Sequence, residues 1–338
     1  MYNYFFYVII LKRLGVGILN KVKSIVFFTA TTLLISTGLG VKIKQNNSRD
    51  LEQYINEYVT SFNGDDIDIA AHRGFSSMEV ENSLESISLA ASKDYVDYIE
   101  MDARLTKDNY IVLSHNDDIK LENNKSIKIF DTNYEDLTQY TLKYETNYTL
   151  AFTRNLLNFE DSEIILGRTS DLNNRTFKVP TLKEGLNASL DKKILLDLKF
   201  NDNKVEFTEA LKRQLEGFDK DKIIIQSLDI ESLKYVKDHL PDYNYLALID
   251  ENSELKYIDE FENIGVRKDF VTNRRVQKAI RDEDRIVAIW TLNSSKSVNN
   301  CLDSLDDFYD DVIYITDYPD LTASVVNKNK PKTKKLVR

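Results

Sequence analysis

Glu100 and Asp102 stand at alternate positions of one apolar run, Asp197 and Lys199 repeat that spacing in another, and His72 and His115 each follow a β-type segment. Alternate residues of a strand point to the same face, so each pair would share a face. Two carboxylates facing the interior of a folded domain resist burial unless a cation neutralises them. A divalent metal does so directly, and hard oxygen donors favour Mg²⁺ or Ca²⁺ over ions that seek thiolates. In ILLDLKF, Asp197 would complete the metal shell and Lys199 would meet an anionic substrate, the alternative being an ordinary polar strand end. In AAHRG, His72 could transfer protons, Arg73 could hold a phosphate through its planar fork, and Gly74 would permit a sharp turn. Trp290, closing RIVAIW, reads either as a stacking wall for a substrate's polar group or as core filling. His239, in ESLKYVKDHL, reads as a surface residue near a helix C-terminus, where its charge suits the dipole.

These residues need a frame that gathers strand ends. Short β-type runs occur at 67–71, 97–102, 110–114, 194–198, 222–227, 245–249, 285–290 and 311–316, with Phe270 to Thr272 ambiguous. Helix-period segments separate most of them, with capping-box spacing at Asn82 and Glu85 and at Thr181 and Glu184. Strands alternating with helices predict an α/β fold with a parallel sheet, and about eight strands predict a closed (β/α)8 TIM barrel. The catalytic candidates then lie at carboxyl ends of strands, where barrels place reacting groups. Only ARLTKDN separates the second run from the third, too short for a helix, and the third strand is expected to run parallel to the second. The expected domains are an N-terminal hydrophobic segment (1–44), an amphipathic helix (45–66), the barrel (67–325) and a basic tail (326–338). An insertion after the third strand, 118–178, reads as a lid over the barrel mouth or as a solvated excursion.

The formal charge of −10 over 338 residues argues against nucleic acid as a partner, since phosphate backbones select basic surfaces. Cys301 is the only cysteine, which excludes an intrachain disulfide and a thiolate metal cluster. The uncharged run 25–41 predicts a membrane anchor, or a signal segment if it is cleaved. Lys12, Arg13, Lys21 and Lys23 precede it while Lys42 and Lys44 follow, which puts the N-terminus inside and the large domain outside the cell membrane, or secreted after cleavage. No feature predicts a protein partner.

The ordered series His72-Arg73-Gly74, Glu81-Asn82, Glu100-x-Asp102, Leu105-Thr106-x-Asp108, His115, Pro180-Thr181-Leu182-x-Glu184, Asp197-x-Lys199, Gln226-Ser227, Trp290-Thr291-x-Asn293 and Thr316-Asp317-x-Pro319 resembles the glycerophosphodiester phosphodiesterase family. The resemblance implies a distorted barrel, one divalent metal held by Glu100, Asp102 and Asp197, and acid and base roles for His72 and His115. It also implies hydrolysis of small glycerophosphodiesters to glycerol 3-phosphate and an alcohol, through attack by the substrate's own glycerol hydroxyl. The family's His-Asp pair is His115-Asn116-Asp117 here, which leaves the orienting partner of His115 open, and Asp197 stands where the family usually has Glu. At that position the chain is similar to sphingomyelinase D-like phospholipases, so a lysolipid substrate is the second enzymatic reading. A membrane-tethered binding protein for glycerophosphodiesters or teichoic-acid-like polymers is the non-enzymatic one.

Overall fold

The computed structural model describes residues 67–143, apart from 122 and 124, and 175–329. The anchor run, the helix expected at 45–66, the centre of the insertion and the tail from residue 330 onward lie outside the described residues. Among the described residues no helix is long and apolar enough to cross a membrane.

Eight strands run parallel around a closed circuit: β1 (Asp68–Ala71), β2 (Tyr98–Leu105), β8 (Lys193–Leu198), β9 (Ile223–Ser227), β10 (Asn244–Ile249), β11 (Asn263–Arg267), β12 (Val287–Trp290) and β13 (Ile313–Thr316). The circuit closes because β1 pairs with both β2 and β13, with Ala71 opposite Ile99 on one side and Thr316 on the other. Alternation then sorts the side chains. Tyr98, Leu195, Ile224, Leu246, Ala288 and Ile313 fill the barrel's inside, while Ile99, Met101, Leu196 and Ile225 pack outward against helical Ile87, Leu186, Phe207 and Leu233. On β2 the inward positions are therefore Tyr98, Glu100 and Asp102, which carries the two acids to the mouth on one face.

Two strand expectations are corrected. The third strand, β3 (Ile111–Leu113), runs antiparallel to β2, with Ala103 opposite Leu113, and is not a stave of the barrel. The cause lies in the turn: Asn109 adopts a φ of 63°, Thr106 N–H bonds to the Tyr110 carbonyl and Thr106 Oγ1 bonds to Asp108, so the chain doubles back at once. The eighth stave is instead β11, whose sequence NIGVR is short and broken by Gly265, and Lys268–Phe270 beyond it is a single 3₁₀ turn.

Helix starts divide in the same way. Thr181 and Glu184 form the expected capping box on α3 (Leu182–Ala188). Helix α1 (Leu84–Ala91) is capped by Ser83, not Asn82, because Asn82 sits at a φ of 56° and directs its side chain to Asp102.

The described part of the insertion has structure of its own. A hairpin of β4 (Asp118–Lys120) and β5 (Ser126–Lys128) leads to α2 (Tyr134–Gln139) and to the pair β6 (Leu142–Lys143) with β7 (Thr176–Phe177). Ile119, Leu121, Ile129, Leu137 and Leu142 bury themselves with Val112 of β3, so these residues are not a solvated excursion. The remaining barrel helices are α4 (Lys204–Gln214), α5 (Ile230–His239), α6 (Arg274–Ile280), α7 (Ser295–Leu305) and α8 (Pro319–Asn329). His239 ends α5 as an exposed residue, hydrogen-bonded to the Tyr235 carbonyl at 2.8 Å, in keeping with a surface role.

Candidate active site and metal centre

Parallel pairing places Asp102 opposite Asp197, and Glu100 lies one pleat deeper on β2. One oxygen from each of the three carboxylates lies within 4.8 Å of the others. All three are buried, at 2%, 1% and 5% exposure, which is costly for like charges without compensation. Arg73 and Lys199 supply part of it. Arg73 Nε lies 3.1 Å from Asp102 Oδ2 and Nη1 2.9 Å from Glu81, while Lys199 Nζ bridges Asp197 at 2.6 Å and Asp102 at 3.1 Å. Asn82 adds a reciprocal pair, donating to Asp102 Oδ2 at 2.8 Å and accepting from the Asp102 N–H at 3.0 Å.

The electrostatics show that this compensation is incomplete. Burial and the charge of Asp102 push the Glu100 carboxyl well above the carboxylate range. Burial likewise raises Asp197 against the pull of Lys199. Burial works against Asp102 too, yet Arg73 and Lys199 hold it below the usual range. Asp197 Oδ1 is buried with no hydrogen-bond partner. Three hard carboxylates and an unpartnered inward oxygen form a donor set that fits a divalent cation.

The turn after β1 brings His72 and Arg73 to this centre. Arg73 has a φ of 58° and Gly74 a φ of 77°, and a Cβ on Gly74 would stand 2.5 Å from Ser86 Oγ and 2.6 Å from the Ser86 carbonyl carbon. Only glycine passes so close to α1, and the tight turn aims the Arg73 N–H at Glu100 Oε2, 2.8 Å away. His72 Nδ1 meets Asp317 Oδ1 at 2.5 Å, and Nε2 points toward Glu100 at 3.9 Å. Because a carboxylate oxygen can only accept, Nδ1 carries the proton and Nε2 is the atom left for chemistry. Asp317 is itself fixed by Ser76 Oγ at 3.2 Å and by the Asn293 amide. Burial and Arg73 oppose a charge on His72, but Asp317 and Glu100 prevail and raise its pKa.

His115 arrives by the hairpin. Because β3 runs back along β2, the Ser114 N–H bonds to the Asp102 carbonyl at 2.9 Å, and the next residue lies beside the carboxylate centre. The parallel-strand expectation was wrong, yet the site it was meant to explain still forms. The open partner of His115 is Asn116, whose Oδ1 lies 3.0 Å from Nδ1; Asp117 instead receives the Phe130 N–H and braces the insertion. Burial and Arg73 push His115 down to about 4.

Trp290 is half-buried at the end of β12, packed against the barrel-filling cluster, with its indole N–H buried and without a hydrogen-bond partner. Arg73 and Lys199 are paired with the acids of the centre. Sequence reasoning assigned no role to Asp317, Asn293 or Arg104. Asp317 and Asn293 stood in the motif series, but the bond of Asp317 to His72, which Asn293 braces, spans 245 residues, which no spacing rule reaches.

Such a centre lies at the carboxyl ends of a parallel barrel, where barrel enzymes place their reacting groups. The glycerophosphoryl diester phosphodiesterase family matches residues 72–320, and the chain belongs to that family of phosphoric diester hydrolases. Over 261 residues it is 27% identical to a Bacillus subtilis protein named as a candidate glycerophosphodiester phosphodiesterase, covering 75% of this chain and 95% of that one. Human lysophospholipase D is 26% identical over 145 residues, 42% of this chain and 40% of that protein. Among solved structures, an Oleispira antarctica phosphodiesterase in complex with the product sn-glycerol 3-phosphate shares the fold with a TM-score of 0.56 and 18% identity, over 77% of this chain and 96% of that chain.

Proposed function

We propose that this chain hydrolyses small glycerophosphodiesters to glycerol 3-phosphate and an alcohol, with Mg²⁺ or Ca²⁺ held by Glu100, Asp102 and Asp197. The observation that carries the reading is the buried carboxylate triad with the unpartnered Asp197 Oδ1, flanked by His72 and His115. The cation would draw charge from the phosphoryl oxygens. Arg73 and Lys199, already beside the triad, hold the remaining phosphate charge. A proton is better kept on His72, whose Nδ1–H faces the Asp317 carboxylate, than on His115, whose Nδ1–H faces a neutral amide. His72 therefore gives its Nε2 proton to the leaving alkoxide while His115 takes the proton of the attacking glycerol hydroxyl. The roles then reverse as water opens the resulting cyclic phosphate: His72 takes a proton from the water and His115 returns one to the glycerol oxygen, giving glycerol 3-phosphate.

Release of glycerol 3-phosphate from glycerophosphocholine and glycerophosphoethanolamine by the full chain, with Mg²⁺, Ca²⁺ or chelator, tests this. Release that needs a divalent ion and disappears in His72→Ala supports the reading; saturable binding without product under either ion rejects it in favour of a binding protein. The match to human lysophospholipase D favours lysolipids as a second substrate class, read in the same assay as choline release. The location reading extends this proposal: the uncharged run 25–41 and its more basic leading flank support an anchor that carries the barrel outside the cell membrane.

A further inference from the structure

We infer that Arg104 is the positioning residue that sets His115 for proton transfer, an inference that rests on the catalytic reading of His115 above. Arg104 follows Asp102 by one pleat on β2, so the inward series Glu100 and Asp102 continues into a guanidinium. Its Nε and Nη2 both donate to the backbone carbonyl of His115, at 2.9 and 2.7 Å, and Nη1 reaches Asn201 Oδ1 at 3.4 Å. Two donors of a planar fork on one carbonyl fix that carbonyl in direction as well as distance, which a lysine ammonium cannot do.

His115 needs such a hold more than His72 does. The His72 backbone N–H is bonded to the Thr316 carbonyl at 2.9 Å, and its ring is bonded to a carboxylate braced by two further side chains. His115 stands past the end of β3, and among the described residues its ring is bonded only to the exposed side chain of the next residue, Asn116. The Arg104 fork ties this point of the chain to β2 and, through Asn201, to the segment that follows Lys199 on β8. Among the described residues Arg104 makes no ion pair. Its hydrogen bonds go to neutral oxygens, and both short ones go to the proton-transfer residue.

The chain has only three histidines, so each imidazole can be followed separately by ¹⁵N NMR. The experiment compares the full-length wild type, Arg104→Gln and Arg104→Lys in Mg²⁺, reading histidine resonances together with kcat and KM on glycerophosphoethanolamine. Expected for Arg104→Gln is a fall in kcat of about 30-fold with KM held within about twofold, displacement of the His115 resonances, and unmoved His72 and His239. Arg104→Lys recovers part of kcat. Unmoved His115 resonances, or a raised KM at unchanged kcat, would overturn the inference, the second outcome making Arg104 a substrate contact. If Arg104→Gln shifts all three histidines, Arg104→Lys decides: a shift confined to His115 with lowered kcat supports the clamp, and a shift of all three makes Arg104 a wall residue and overturns it. A wild type without turnover would sink the functional reading instead, while the His115 shift would still report on the clamp.

Discussion

The barrel mouth has two unlike sectors. The strands β1, β2, β8 and β13 bring His72, Arg73, Glu100, Asp102, Asp197, Lys199 and Asp317 to or just beyond their carboxyl ends, all joined by hydrogen bonds or ion pairs. The strands β9 to β12 offer Gln226, Leu248, Gly265 and Trp290, with Arg267 at the end of β11 paired to Asp250 and Asp269, and here Gln226 Oε1 and Trp290 Nε1 are buried without partners. The charged network leaves Asp197 Oδ1 without a hydrogen-bond partner and its carboxylates incompletely compensated, which a cation would complete. The less charged sector has unused polar atoms and shape, which suits the uncharged portion of a substrate. The division we propose is bond breaking on one side of the mouth and selectivity on the other.

The largest effect should come from the charged sector's centre. Glu100→Gln keeps the shape but removes a ligand charge, and kcat/KM should fall by roughly 10³-fold or more, with weakened Mg²⁺ binding by calorimetry. Asp317→Asn leaves the metal ligands in place and removes the negative charge that faces His72 Nδ1–H. The expected loss is roughly 10²-fold in kcat with little change in KM, since acid–base groups contribute on that scale. Trp290→Ala should act in the other manner, raising KM by roughly tenfold and altering the ratio of choline to ethanolamine substrates while kcat changes less. A Trp290 variant that lost kcat alone would erase the division between the sectors.

A smaller effect concerns stability. Burial and the charge of Asp102 push the Glu100 carboxyl up to about 8, so over the range above its ordinary value the folded chain without metal holds a proton that the unfolded chain releases. Its stabilising contribution is complete below the unfolded value and is lost as pH rises through the folded one. In chelator, Tm should therefore decline between about pH 5 and pH 8, and saturating Mg²⁺ should flatten that decline. A Tm profile that ignores metal over this range would contradict the triad as the binding place.

Much of the charged sector was legible because alternation alone puts Glu100 with Asp102 and Asp197 with Lys199 on shared faces. The barrel was legible from its repeated apolar runs, though one stave was misidentified. The run NIGVR carries two apolar side chains besides Gly265, too few to signal a strand, and its place was taken in the reading by the more apolar β3. The direction of β3 was hidden because segment length permits a parallel return, whereas the left-handed Asn109 decides against it. Asn82 looked like a helix cap for a related reason: its side chain can serve a helix or a neighbouring carboxylate, and only the fold shows that Asp102 claims it. Partners far apart in the chain, such as Asp317 for His72, leave no local pattern at all.

The pairing of β1 with β13 has a consequence during synthesis. His72 emerges early, but the carboxylate that accepts from its Nδ1–H, Asp317, is made 245 residues later, and the strand leading to that partner also closes the barrel. A nascent chain still short of residue 317 cannot form the His72–Asp317 hydrogen bond, so that contact and the last stave of the wall become available together.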